Sequence, residues 1–121
     1  MTIRDKRIFV CDSSTLRDKQ FLIHELRYKG EAHSAIVFRF EGQVFAYLNQ
    51  CVHMPRPLTC NRNAVFDERQ GHLRCSMHGI LYKPETGESI STLCQGERLQ
   101  ALRLLENDGK IYFNDKHVAL V

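Results

Sequence analysis

Apolar residues are concentrated in short runs along the chain, and each run ends at a turn signal. A short run spans Ile8–Cys11. Three further runs are rich in β-branched and aromatic residues, which favour strands, and they span Phe21–Tyr28, Ala35–Phe40 and Val44–Leu48. Runs at 72–74, 80–82, 99–105 and 110–114 continue the pattern, with glycine-containing hairpin turns predicted at 41–43 and 107–109. Closely spaced short strands of this kind predict an all-β, antiparallel sandwich or barrel.

Two short cysteine–histidine pairs interrupt this pattern, Cys51-Val-His53 and Cys75-Ser-Met-His78. Each pair offers one thiolate and one imidazole. Two sulfur and two nitrogen ligands suit either zinc or an iron–sulfur centre with mixed ligation. Zinc fingers group their cysteines before their histidines, whereas here the two types are mixed within each pair. The order favours an iron–sulfur centre and leaves zinc as the alternative.

The residues around the pairs resemble those of Rieske-type [2Fe–2S] ferredoxins. The resemblance rests on three segments: Asn49–Leu58 with its C-x-H and Pro-Leu, Cys75–Tyr82 with its C-x-x-H-G and aromatic, and the Thr-Gly turn in Glu85–Gly87. The gap between the pairs is longer than usual for the family. Val52 replaces a common proline, and Met77 replaces a common tryptophan.

This resemblance implies a fold, a cofactor and a ligand set. The expected fold is a Rieske-like antiparallel β-sandwich, a single domain over 1–121 with a small cluster-binding subdomain inserted at about residues 50–83. The expected cofactor is one Rieske [2Fe–2S] cluster, in which two histidines and two cysteines hold the two irons. Its ligands would be Cys51, His53, Cys75 and His78.

The function that the resemblance implies is that of a soluble one-electron carrier without catalytic residues or a small-molecule substrate. Electrons would pass from a flavoprotein reductase to a terminal oxygenase or another redox enzyme. A small Rieske subunit of a larger reductase or oxidase, and a zinc-binding or redox-sensing regulatory module, are the alternatives. High-potential Rieske proteins carry a serine after the His-Gly and a tyrosine two residues later. Ile80 replaces the serine here while Tyr82 keeps the tyrosine, so we expect a potential in the lower part of the Rieske range.

Composition limits the environment and the partners. No apolar stretch in the 121 residues approaches the roughly 20 that a membrane helix needs, so we expect a cytoplasmic chain without a membrane anchor. Residues 51–83 carry five basic and two acidic side chains, an excess of three positive charges that would attract an acidic partner. No basic–aromatic stripe indicates a nucleic-acid partner.

The remaining cysteines and histidines are expected to have ordinary structural roles. Cys11 lies in an apolar run and is expected to be a small buried side chain. A disulfide between Cys60 and Cys94 is not expected, because cytosolic thiols stay reduced. The four histidines outside the pairs are expected to be surface or core residues rather than ligands: His24, His33, His72 and His117.

Overall fold

In the computed structural model, the described residues are 7–50, 71–74, 81–90 and 97–120, and they form an all-β structure. The strands are β1 (Ile8–Asp12), β2 (Phe21–Tyr28), β3 (Glu31–Phe40), β4 (Gln43–Leu48), β5 (Leu73–Arg74), β6 (Leu81–Tyr82), β7 (Ala101–Leu102), β8 (Leu104–Asn107), β9 (Lys110–Phe113) and β10 (Val118–Ala119). A single turn of 3₁₀ helix, Ser13–Thr15, follows β1. No helix in the described part of the chain is long and apolar enough to cross a membrane.

The strands form three sheets. Five strands lie in the order β10-β2-β3-β4-β7, three in the order β1-β9-β8, and β5 pairs with β6 alone. The chain divides into two compact units, the first formed by 1–46 with 102–121 and the second by 47–101. Strands β4 and β7 carry the chain from the first unit into the second and back.

The hairpin of β2 and β3 is the longest paired element of the first unit. The register runs from Phe21 opposite Phe38 to Tyr28 opposite Glu31. Strand β3 begins at Glu31, four residues before the predicted start at Ala35, because Lys29 and Gly30 form a two-residue turn with positive φ at both positions. The polar residues after this turn conceal the start of the strand in the sequence.

The centre of β3 supplies much of the core of the first unit. Ala35, Ile36, Val37 and Phe38 are all 0% exposed, so both faces of the strand are covered at this point. A run of adjacent apolar residues, rather than an alternating one, is typical of a strand buried on both sides. Phe38 also stacks on Phe45 of β4, with ring centroids 5.7 Å apart.

The three-stranded sheet confirms the predicted C-terminal hairpin and refines its bounds. Strands β8 and β9 pair antiparallel around Asp108 and Gly109, which both have positive φ. The predicted run 99–105 is divided into β7 and β8, and β10 is a strand that the sequence analysis missed. At two residues, β10 is too short to show a period.

Arg39 connects several loops within the first unit. Its guanidinium donates to both carboxylate oxygens of Glu106, with an Nη2–Oε2 distance of 2.6 Å, and its Nε donates to the Leu16 carbonyl at 2.6 Å. It also donates to the carbonyls of Ser13 and Gly42. A bidentate pair with additional carbonyl acceptors is the geometry in which an arginine stabilises structure most.

Candidate metal centre

The four predicted ligands lie outside the described residues. Cys51, His53, Cys75 and His78 fall in 51–70 and 75–80, as do Val52, Met77 and Ile80. Cys60 and Cys94 also lie outside the described residues. The described residues contain no group of three or more histidine, cysteine, aspartate or glutamate side chains arranged to hold a metal ion.

The segments around the second pair are two paired strands. Arg74 of β5, the residue before Cys75, lies opposite Leu81 of β6, and Leu73 lies opposite Tyr82. Paired residues in an antiparallel ladder have Cα atoms only about 5 Å apart, so residues 75–80 connect two neighbouring points of the backbone. Leu73 and Tyr82 are both 0% exposed, which anchors these ends in the core of the second unit.

The segment that leaves the second pair is tied into a small network of backbone hydrogen bonds. The Ile90 amide donates to Leu81 at 3.0 Å, and the Ser89 amide donates to Glu97 at 2.7 Å. Isolated bridges join Tyr82 to Ser89 and Glu88 to Arg98. Of the predicted run 80–82, the described residues Leu81 and Tyr82 form a strand, and Tyr82 pairs with a neighbour on both sides.

The Thr-Gly turn singled out in the sequence lies immediately after β6. The Gly87 amide donates to the Lys83 carbonyl at 2.7 Å, and the Lys83 amide donates to Glu88 at 2.9 Å. Gly87 has φ +75°, and a Cβ at this position would lie 2.8 Å from Cε1 of Tyr47. Only glycine satisfies both the positive φ and the close ring.

Tyr47 is the described residue of this region that the sequence analysis missed. It lies near the end of β4, four positions before Cys51, and is 2% exposed. Its hydroxyl donates to the Pro84 carbonyl at 2.7 Å. Burial, with the carboxylate of Glu85 second, raises the pKa of Tyr47 above its usual range, so the hydroxyl keeps its proton. The strand pattern alone predicts a buried aromatic here but not its partner.

Cys11 and three of the four histidines outside the pairs have packing or polar contacts in the first unit. Cys11 is a buried free thiol whose pKa is raised, chiefly by burial. The ring of His24 meets Phe113 edge-on, and that of His117 meets Tyr28 in the same way. His33 lies 3.7 Å from the carboxylate of Glu31. These three histidines are placed by neighbours in the first unit.

The donor chemistry of the four predicted ligands fits a [2Fe–2S] cluster. Two thiolates and two neutral imidazoles are the set in which histidines replace two cysteines on one of the two irons. The segments that bring in this donor set are also well anchored: the second pair lies between paired strands, and the first follows the buried residues Tyr47 and Leu48.

Comparison with solved structures shows a shared fold. The ferredoxin of carbazole 1,9a-dioxygenase from Nocardioides aromaticivorans IC177 superposes with a TM-score of 0.68 at 17% identity, over 91% of this chain and 98% of that one. A chain of the complex of reduced oxygenase and oxidized ferredoxin in carbazole 1,9a-dioxygenase gives a TM-score of 0.70 at 21% identity, over 94% of this chain and 97% of that one.

Longer chains match as well. A chain of the reduced complex between oxygenase and ferredoxin in carbazole 1,9a-dioxygenase has a TM-score of 0.70 at 18% identity, and the match covers 92% of this chain but 28% of that one. The protein thus spans less than a third of these longer relatives. A search among curated proteins finds no match.

The amino-acid sequence itself shows to which family the protein belongs. Residues 6–111, nearly the whole chain, match the Rieske [2Fe-2S] domain. This span contains both cysteine–histidine pairs, the β5–β6 strands between which the second pair lies, and the Thr-Gly turn. The protein therefore belongs to the Rieske [2Fe-2S] domain family, and its cofactor is a [2Fe–2S] cluster.

Proposed function

We propose that this protein is a one-electron carrier that receives electrons from a flavoprotein reductase and delivers them to a terminal oxygenase. The observation that supports this most strongly is the match of its fold to the carbazole dioxygenase ferredoxin, which extends over 98% of that ferredoxin. A carrier of this kind turns over no substrate of its own. It is proposed to act in the cytoplasm, as a component of a multicomponent oxygenase.

The proposed ligands are Cys51, His53, Cys75 and His78. The placement of their neighbours supports this assignment, since Arg74 and Leu81 are paired on either side of the second pair. A cluster held by both pairs would connect the end of β4 to the β5–β6 hairpin. When bound, the cluster supplies reversible one-electron chemistry, with histidine ligation raising its potential above that of all-cysteine ferredoxins.

The role of the polypeptide is to hold the ligands and keep them from moving. Leu73 and Tyr82, both buried, fix the two ends of the second ligand segment. Tyr47, four positions before Cys51 in the sequence, is held by its hydrogen bond to the Pro84 carbonyl. Fixed ligands keep the geometry similar in both oxidation states, and little rearrangement is then needed when an electron moves.

We also propose that the ligand pairs belong to a cluster-binding subdomain inserted in a single Rieske domain over 1–121. The compactness of the second unit supports this organisation, because that unit, residues 47–101, includes the predicted subdomain at about 50–83. The unit extends past the predicted end at Lys83, since the turn at Lys83–Glu88 and residues 97–100 hydrogen-bond within it.

Electron transfer through the purified holoprotein tests the function. A flavoprotein ferredoxin reductase, NADH and oxidised cytochrome c serve as donor system and final acceptor. We expect cytochrome reduction to require this protein, and to be lost in Cys75→Ser while the control Cys11→Ser retains it. A colourless protein that contains one zinc, or a bound cluster through which no electrons pass, would contradict the proposal.

A further inference from the structure

The contact between Tyr47 and the Lys83–Glu88 turn joins two segments that are far apart in the sequence. Tyr47 lies four residues before Cys51, and Pro84 lies six residues after His78. The hydrogen bond from the Tyr47 hydroxyl to the Pro84 carbonyl is 2.7 Å long and buried. The chain entering the first ligand pair is thus bonded to the chain leaving the second.

The ring of Tyr47 makes a second contact with the same turn. Gly87 lies so close that a Cβ would be 2.8 Å from Cε1 and 3.2 Å from Cδ1 and Cζ of the ring. Such an approach leaves no room for a side chain at position 87. Hydroxyl and ring therefore hold the turn at two points.

Backbone bonds extend this connection to the next segment. The Leu99 amide donates to the Gly87 carbonyl at 2.9 Å, and the Leu48 amide, next to Tyr47, donates to Gln100 at 2.9 Å. The chain around Tyr47, the turn and residues 99–100 form a closed ring of contacts within the second unit. Opening the Tyr47 contact leaves the Pro84 carbonyl buried without its partner, which is costly.

We propose that Tyr47 is a positioning residue for the metal centre: its contacts with Pro84 and Gly87 clamp together the segments that carry the two ligand pairs. A cluster ligated from both pairs is released when the two segments separate. The clamp therefore governs how long the cluster is retained. This inference rests on the proposed ligand assignment and adds a residue that is not one of the four proposed ligands.

The test measures the rate at which the holoprotein loses its visible absorbance in an excess of iron chelator. Tyr47→Phe removes the hydroxyl and keeps the ring, and we expect release about tenfold faster, the factor that corresponds to about 1.4 kcal/mol. Tyr28→Phe, in the first unit, is the matched tyrosine control and should release the cluster at the wild-type rate. Amide hydrogen exchange at Gly87 and Leu99 should accelerate in Tyr47→Phe and not in Tyr28→Phe.

A second variant reaches the same contact from the other side. Gly87→Ala places a Cβ against the ring of Tyr47, whereas Gly30→Ala introduces a side chain at an equally positive φ with nothing within 4 Å. We expect faster cluster release from Gly87→Ala and not from Gly30→Ala. Both substitutions disrupt the same contact. The increase in release rate in the double variant Tyr47→Phe/Gly87→Ala should therefore be smaller than the product of the increases in the two single variants.

The outcomes separate the clamp from the function on which it rests. A wild-type protein with a Rieske spectrum, and unchanged release and exchange in Tyr47→Phe, overturns the clamp and leaves the carrier function intact. Equal acceleration in Tyr28→Phe also overturns it, since release would then follow overall stability. A wild-type protein without a Rieske spectrum overturns both.

Discussion

At the scale of single residues, the predicted metal ligands can be identified from the sequence, but the residues that hold the ligand segments in place cannot. Cys51, His53, Cys75 and His78 stand out because their types and spacing have few other uses. Tyr47 does not stand out, since an aromatic in an apolar run is ordinary core material. Its importance comes from Pro84 and Gly87, about forty positions away. Contacts of this kind depend on the folded register, which a local pattern does not contain.

The reduction potential is predicted from the residue at position 80, an isoleucine. Because isoleucine stands where high-potential proteins carry a serine, we expect one hydrogen bond to a cluster sulfur to be missing. We expect a midpoint in the lower part of the Rieske range of about −150 to +300 mV, and an upward shift in Ile80→Ser. Redox titration followed by visible absorbance measures both. A wild-type midpoint above about +200 mV would contradict the expectation.

The Arg39–Glu106 pair contributes to the pH dependence of stability at the acid end. The hydrogen bond from Arg39 lowers the pKa of Glu106 from its ordinary 4.5. A carboxylate with a depressed folded-state pKa stabilises the protein above its unfolded-state pKa, and this contribution is lost as the pH falls through the folded value. For the wild type, we expect the denaturant concentration at the unfolding midpoint to decrease as the pH is lowered below about 4.5.

The variant Glu106→Gln isolates this contribution. It keeps a hydrogen-bond acceptor for Arg39 but has no proton to gain, so its unfolding midpoint should change less than that of the wild type between neutral pH and about pH 3. Glu41→Gln is a control at an exposed carboxylate on a turn. Parallel pH profiles of wild type and Glu106→Gln would refute the role of this pair.

At the scale of elements, strands and turns follow from the sequence where the local signals agree. The bounds Phe21–Tyr28 are predicted to the residue, and the turn at Asp108–Gly109 is found because its glycine precedes an apolar run. The start of β3 is missed, since Glu31–Ser34 is polar and its place in a strand is imposed by the partner β2. Tertiary pairing therefore overrides local preference at this edge.

At the scale of elements, we predict that the β5–β6 hairpin helps to retain the cluster. Leu73→Ala removes a wholly buried side chain next to the second ligand pair and should cost about 2–5 kcal/mol of unfolding free energy. Leu26→Ala, in β2, is the matched control, with the same side chain at 1% exposure in the other unit. Both variants should unfold at lower denaturant concentration, but only Leu73→Ala should lose its cluster faster under native conditions. Equal rates of loss would show that β5 and β6 do not hold the site.

At the scale of the whole molecule, family membership could be inferred from the sequence because the ligand pairs, the His-Gly and the Thr-Gly turn occur in one order. The extent of the second unit could not be inferred from the sequence. It includes residues 97–100, which join it through backbone bonds such as Leu99 to Gly87 and carry no motif. Backbone hydrogen bonds are nearly independent of side-chain type, so the sequence gives little sign of them.

The charge distribution predicts that electron transfer to an acidic partner depends on salt concentration. Residues 51–83 carry an excess of three positive charges, the same as the net charge of the entire chain. Electrostatic attraction to an acidic partner accelerates association and weakens as salt shortens the Debye length. We expect the second-order rate of electron transfer to the proposed oxygenase partner, followed by stopped-flow absorbance, to fall as ionic strength rises. Arg69→Glu should lower the rate more than Lys110→Glu, and a rate independent of salt would contradict this steering.

The central claim is that two histidines and two cysteines of this chain hold a [2Fe–2S] cluster. Pulsed electron paramagnetic resonance on the dithionite-reduced holoprotein tests it most directly, because the unpaired electron couples to the nitrogens of histidines bound to iron. We expect coupling to two histidine nitrogens, with the coupling altered in His53→Cys and in His78→Cys and unchanged in His72→Gln. A reduced protein without a paramagnetic signal, or a signal without nitrogen coupling from histidine ligands, would contradict it.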